Sequence, residues 1–386
     1  MSNVSHEGLA AGQAETASKP RATSTDAVEI VCLFRGERKT LIEQIARGEA
    51  PDEFLYGLPQ VQALRRPMAV VEPDDRRPWF HPLFRLQENA TARFGLGLFF
   101  ATPLAHLRTL RQARVVLGTT DSTALPVLLF KQLGWLRGRI IVISQGLHSA
   151  GDSGPAWRRR LIQRFARKMM GVADAVIALG DGDAEAIRES LRPARVELIQ
   201  FGIDTSFWTP SRKAGLSGPV LSVGSDGMRD YPVLLEAIGD RPLQIVTRIS
   251  LPVQLPRPNV RIESRLTWHE LRERYRAARY VVTPVLNQRR DSGHSATLQA
   301  MACGKAVILS RTAGLWDRER MKHMETCYLV EPENAAALRA AMDYFDQNPG
   351  EAERIGRNAC ELVSRCYTST QFGEALAKLV MELGCA

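Results

Sequence analysis

Short runs of β-branched and aliphatic residues recur along this chain, each followed by a stretch of helical periodicity, and no other feature constrains the fold as much. In the first half the runs at residues 28–33, 68–71, 113–117, 139–144 and 175–178 read as strands. The apolar stretch 122–135 between two of them is long enough for a helical crossover, so neighbouring strands are expected to run parallel. After the proline-containing bridge 204–210 the pattern restarts, with strands at 219–223, 243–246, 260–262, 280–284 and 306–309. Helices are expected at 230–238, 267–278, up to Cys303, and at 333–348, 350–366 and 370–383. A chain of 386 residues also exceeds what one core usually serves. The reading is α/β: two doubly wound Rossmann-like domains facing across a cleft, at 27–206 and 207–366. Residues 367–386 form a last helix able to cross back to the first domain, and residues 1–26, polar and without an apolar core, read as a disordered leader.

Composition is that of an ordinary globular protein, with 45% apolar and 24% charged residues. The longest apolar stretches, 94–107 and 124–136, are broken by His106 and Lys131 and are too short to span a bilayer. Six cysteines show no Cys-x-x-Cys pair and no zinc-type spacing, so they read as reduced thiols and the expected location is the cytoplasm. The net charge of +9 divides into +5 over residues 1–206 and +4 after, which argues against a single basic nucleic-acid-binding module. The basic stretch 157–168 sets Trp157, Leu161, Phe165 and Met169 on one helical face. The favoured expectation is that this face is buried in its own domain; the alternative is peripheral docking on the anionic inner face of a membrane.

In open α/β sheets ligands sit beyond the carboxyl ends of the strands, so chemistry is sought in the loops that follow them. Gly293 precedes a helix, where backbone can approach a phosphate and free N–H groups of His294 and Ser295 can face it. Arg229 follows the first strand of the second half, and Arg248 follows its second. In the first half Gln145-Gly-Leu-His148 follows a strand, as does Arg35-Gly36, and Tyr56-Gly57 sits in a nearby loop.

The stretch Asp291-Ser-Gly-His-Ser-Ala-Thr-Leu-Gln299, followed by Ala-Met-Ala-Cys-Gly304, resembles the signature of the group 1 (family 4) retaining glycosyltransferases of GT-B fold. There two glutamates eight positions apart flank a glycine; here the positions hold Asp291 and Gln299. Gly224-Ser-Asp-Gly-Met-Arg229, leading into Leu-Leu-Glu-Ala237, is similar to the family's first strand and loop of the second domain. The resemblance implies that Arg229 clamps the diphosphate, that Asp291 faces the donor sugar and that Gln299 bonds a ribose hydroxyl through its neutral amide. Ser225 stands where the family has a second basic residue, and Arg248 is a candidate to replace that charge. His148 faces the sugar from across the cleft, and Gly36 and Tyr56 fall on the acceptor side. The implied activity is hexosyl transfer, with retention and without a metal or other cofactor, from a UDP- or GDP-type nucleotide sugar to a glycan, lipid-linked or small-molecule acceptor, as in polysaccharide biosynthesis. A phosphorylase or epimerase of the same fold accounts less well for the pattern around Asp291. The changes at positions 225, 291 and 299 also admit a non-catalytic homologue that binds a nucleotide sugar or polysaccharide and regulates a partner.

Overall fold

The computed structural model describes residues 28–73, 82–87, 89, 97–150, 155–211, 217–251 and 257–385; the leader at 1–26 and the start of the apolar stretch 94–107 lie outside them. The first sheet is built from β1 (Ile30–Leu33), β2 (Met68–Val71), β3 (Val115–Gly118), β4 (Arg139–Ile143), β5 (Ala175–Ala178) and β6 (Val196–Leu198), in the order β2-β1-β3-β4-β5-β6. The second comprises β7 (Val220–Val223), β8 (Leu243–Val246), β9 (Val260–Glu263), β10 (Val281–Thr283), β11 (Val307–Ser310) and β12 (Tyr328–Val330), in the order β12-β11-β10-β7-β8-β9. Every strand pairing within the two sheets is parallel.

Parallel sheets covered by helices on both faces need strands that are apolar throughout, and Val-Val-Leu-Gly in β3, Ala-Val-Ile-Ala in β5 and Val-Ile-Leu-Ser in β11 are buried at every position. β6 and β12 are the two strands the sequence pattern does not announce. Each has three residues at a sheet edge and is only partly buried, so neither needs an apolar run.

Local signals set the helix ends. Thr267 and Glu270 form a reciprocal capping box at the start of the helix Trp268–Ala277, each side chain satisfying a backbone N–H that the helix itself leaves free. Asp230 accepts from Val233 N at the start of Tyr231–Ala237. The helix His294–Ala302 differs: it has no side-chain cap, and eight of its nine residues are buried. Pro349–Cys366 packs against it.

The two domains share a core. One apolar cluster runs from Ile30, Leu117 and Ile141 under the first sheet, through Phe201 and Ile203 just before the bridge and Trp208 within it, to Leu298, Met301 and Val307 of the second domain. The last helix, Ser369–Cys385, follows the second domain in sequence but packs against Leu58–Gln62 of the first. The approach is close enough that a Cβ at Gly57 would lie 2.8 Å from the Gly373 backbone.

The basic helix, Ala156–Met170, departs from its favoured expectation. Its buried side chains are Ile162, Ala166, Met169 and Met170, whereas Trp157 is 68% and Leu161 63% exposed. The reason is angular: Ile162 and Ala166 lie on the opposite side of the helix from Trp157, and those smaller residues meet the domain.

Candidate active site

The second sheet reverses its strand order between β7 and β10, so the loops leaving those strands diverge and open a crevice at their carboxyl ends. The loop at 224–230 carries Arg229 into it, and the loop at 284–293 carries Asp291 and Gly293. Arg229 is 8% exposed, its Nε donates to Asp226 Oδ2 at 2.9 Å, and its buried Nη1 has no hydrogen-bond partner. The guanidinium threads between two glycines. A Cβ at Gly224 would sit 2.1 Å from Arg229 Nε, and one at Gly293 would sit 3.1 Å from Nη1 and 2.5 Å from Thr283. Asp226 is itself fixed, accepting from Ser292 Oγ at 2.7 Å and Met228 N at 3.1 Å. Burial opposes its ionisation, but Arg229 beside it and these donors hold its carboxyl below the usual range.

Gly293 stands at the N-cap of His294–Ala302 with φ +79°, a conformation that side chains resist. The first bond of that helix is Thr297 N to Gly293 O at 2.9 Å, so the N–H groups of residues 294–296 precede the ladder and point out of its positive end. An orphaned guanidinium nitrogen therefore lies beside a helix N-terminus. That pairing is suited to an anion.

The neighbouring candidates are placed as follows. His294 is 7% exposed, stacked on Trp316 with centroids 4.4 Å apart, with Nδ1 3.3 Å from Asp291 Oδ2 and Nε2 buried without a partner. Ser295 is half-buried. Ser225 Oγ accepts from Arg248 N at 2.9 Å, which ties the loop after β7 to the loop after β8, and the Arg248 residue is exposed.

Across the cleft, the turn Leu147–Ser149 after β4 presents His148, which is 6% exposed with neither ring nitrogen hydrogen-bonded. Its Nε2 lies 3.6 Å from Asp183 Oδ1, just beyond hydrogen-bond reach. Asp183 is 1% exposed; Oδ1 accepts from Asp291 N at 3.2 Å, and Oδ2 has no partner. Asp121, after β3, shapes the His148 turn by accepting from Gln145 N at 2.7 Å and Leu147 N at 3.2 Å. Arg290 packs against Gly146, where a Cβ would fall 2.5 Å from its Nε. Burial sets the protonation pattern. It pushes Asp183 up to about 8, helped by the charge of Asp291, raises Asp121 to about 6, and lowers His148 to about 4. At neutral pH this face holds a protonated Asp183 beside a neutral imidazole. Asp121, Asp183 and Arg290 belong to no motif that marks them in the sequence, although Asp121 and Asp183 stand in the first turns of the helices Asp121–Gln132 and Asp181–Ser190 that follow β3 and β5, and Arg290 lies in the loop after β10, all at the strand ends where the fold rule says to look.

Gln299 sits deeper. Its Nε2 donates to Glu53 Oε1 at 3.0 Å, its Oε1 accepts from Tyr275 OH at 3.2 Å, and it is 4% exposed. Both ends of the amide thus have protein partners, and contact with a ribose requires one of them to be given up. Glu53, from the first domain, also accepts from Trp208 Nε1 at 2.9 Å and Asp204 N at 3.1 Å. Burial raises its carboxyl to about 7 in spite of these three donors. Tyr56, at φ 48°, accepts from Gln145 Nε2 at 2.9 Å and so buttresses the loop that carries His148. Gly36, half-buried, follows β1 at the same edge of the sheet. Among the described residues, no three His, Cys, Asp or Glu side chains form a group that would hold a metal ion.

Residues 228–348 match the family model described as Glycosyl transferases group 1. No curated protein matches the sequence closely enough to count as a relative. Solved structures of like architecture include sucrose-phosphate synthase from Thermosynechococcus elongatus, at 16% identity and TM-score 0.69 over 93% of this chain and 99% of that one. Anabaena HepE in complex with UDP-glucose aligns at 13% identity and TM-score 0.65, over 92% and 99% of the two chains. A glycosyltransferase from Rickettsia africae aligns at 14% identity and TM-score 0.62, over 93% and 99%. The chain has the two-domain α/β architecture of the GT-B glycosyltransferases, and its second domain carries the group 1 match at 228–348.

Proposed function

We propose that this protein transfers a sugar, with retention, from a nucleoside diphosphate sugar to an acceptor hydroxyl. The observation that carries the reading is the Arg229 guanidinium, held by Asp226 between Gly224 and Gly293, with Nη1 buried and unpartnered at the start of His294–Ala302. A diphosphate in the crevice supplies the missing acceptor. Arg229 and the N–H groups of residues 294–296 then stabilise the charge that grows on the leaving phosphate, the electrostatic task a metal ion performs in other transferases. The bond between the anomeric carbon and the phosphate oxygen breaks with its electron pair going to the diphosphate. The acceptor oxygen bonds the anomeric carbon on the same face, and its proton passes to the departing phosphate oxygen. Asp291 orients His294 through Nδ1, which leaves Nε2 available to the donor. His148, neutral at physiological pH, offers one N–H and one lone pair to the sugar hydroxyls from the opposite domain.

The UDP-glucose bound by the Anabaena protein of like fold supports a nucleotide sugar of UDP type as the first donor to try. The test is release of nucleoside diphosphate from a panel of UDP- and GDP-sugars by the purified chain with a mixed acceptor extract. Release that needs the extract and is lost in Arg229→Ala supports the proposal. Saturable nucleotide-sugar binding without any release identifies a sensor instead.

A further inference from the structure

The helix Ala156–Met170 carries five arginines and a lysine and no acidic residue. Its inner side, Ile162, Ala166, Met169 and Met170, is buried on the first domain. On the far side Trp157 and Leu161, four residues apart and so stacked one turn above the other, are 68% and 63% exposed. Arg160, Arg164 and Lys168 share that outer side, and all three are exposed. Among the described residues none of these three makes an ion pair or side-chain hydrogen bond, in contrast to Arg167, whose Nε is held by Ser190 O at 2.8 Å. The outer side is thus a pair of large apolar groups set among unneutralised cations.

A soluble partner face built from acidic side chains would satisfy the cations but not bury an indole. A bilayer with anionic headgroups does both: the arginines and lysine meet phosphate while Trp157 and Leu161 enter the boundary between headgroups and acyl chains. Trp is well suited to that depth because its ring is amphipathic. We infer that this helix docks the protein, lying flat, on an anionic membrane surface through Trp157, Leu161, Arg160, Arg164 and Lys168. The helix touches the turn Leu147–Ser149 that bears His148, so docking brings that edge of the cleft to the bilayer. The inference stands on the exposed face alone and does not require the donor chemistry above.

The experiment is co-sedimentation of the full chain with vesicles of phosphatidylcholine alone or mixed with phosphatidylglycerol, at about 0.1 M and 0.5 M NaCl, a range over which exposed charges are strongly screened. The expected result is binding to the mixed vesicles only, falling steeply with salt. It should weaken at least tenfold in Trp157→Ser with Leu161→Ser, and at least tenfold in Arg160→Gln with Arg164→Gln and Lys168→Gln. Neutralising exposed cations elsewhere, Arg357→Gln with Lys378→Gln, should leave it unchanged. Melting curves check that each variant folds, and nucleotide release with a water-soluble acceptor should stay at the wild-type rate in both helix variants. Absence of binding, equal binding to neutral vesicles, or helix variants that sediment like the wild type would each overturn the inference.

Discussion

The two faces of the cleft solve different electrostatic problems. The second domain offers a cation and a helix N-terminus, drawn from two loops whose polar groups fix one another: Ser292 holds Asp226, and Asp226 holds Arg229. The first domain offers buried acids and a neutral histidine, with His148 and Asp183 both left incompletely hydrogen-bonded. Burial favours the uncharged forms of His148 and Asp183, so at neutral pH that pair contributes dipoles rather than charges, whereas Asp121, raised only to about 6, is ionised beneath the turn. Under the proposed function, the positive wall holds the diphosphate and the neutral His148–Asp183 pair opposite reads hydroxyl groups.

Removing the positive wall should have the largest effect. Arg229→Ala is expected to lower donor affinity or turnover by ten- to a hundredfold, since a charge-assisted phosphate contact contributes roughly 1.5 to 3 kcal/mol. Kinetics equal to wild type in the folded variant would take Arg229 out of the site and dissolve the contrast. Next comes the tie between the faces. Gln299→Leu removes a donor from buried Glu53 and an acceptor from Tyr275, and a loss of about 1 to 3 kcal/mol in unfolding free energy is expected from denaturant midpoints. If that variant instead keeps full stability but no longer binds nucleotide by calorimetry, the amide serves the donor and not Glu53. Gln299→Glu should be less stable than Gln299→Leu above pH 7, where Glu53, with its carboxyl raised to about 7, becomes a second buried charge beside it.

Asp183 sharpens the comparison from the first domain. Its carboxyl is raised in the folded state to about 8, so the fold favours its protonated form. The resulting stability is complete below the unfolded carboxylate value and is lost as pH rises towards 8. His148, lowered to about 4, titrates below neutrality in the fold and near 6.5 when unfolded, so it contributes little slope above pH 7. Wild-type stability should therefore decline as pH rises through neutrality, with Glu53 adding to the decline, and Asp183→Asn should make it shallower. An unchanged slope in Asp183→Asn would mean that the carboxyl is ionised at neutrality and that the His148–Asp183 pair carries a charge. The smallest effect is expected at Arg248→Ala: the side chain is exposed and only its backbone N–H is held by Ser225, so nucleotide release should change less than about twofold, the scale of an exposed charge. A tenfold loss would give the positive wall a second cation.

Much of the fold can be read directly from the chain. Runs such as 139–144 and 306–309 appear as strands because a sheet covered on both faces admits only apolar residues. The edge strands β6 and β12 carry no such requirement and leave no comparable trace. Helices with local caps, as at Asp230 and Thr267, are legible almost to the residue, because a cap is a contact between neighbours in sequence. The same locality explains why the Arg229 loop and the Asp291 to Gln299 stretch stand out as motifs.

Sequence by itself determined two parallel α/β domains, and it marked the loops after β7 and β10 that carry Arg229, Asp291 and Gly293. Each of these depends on composition or spacing over a few residues, where the chain's covalent geometry already limits the outcome. Tertiary structure alone decided that Asp183 lies beside His148 while Asp121 and Arg290 pack on the turn that bears it, that Glu53 reaches Gln299 across the domain boundary, and that Trp157 faces outward while Met169 does not. Those facts depend on which surfaces of distant segments are brought together. Burial and the loss of water at such contacts, which set the protonation of the site, arise only when the segments have packed.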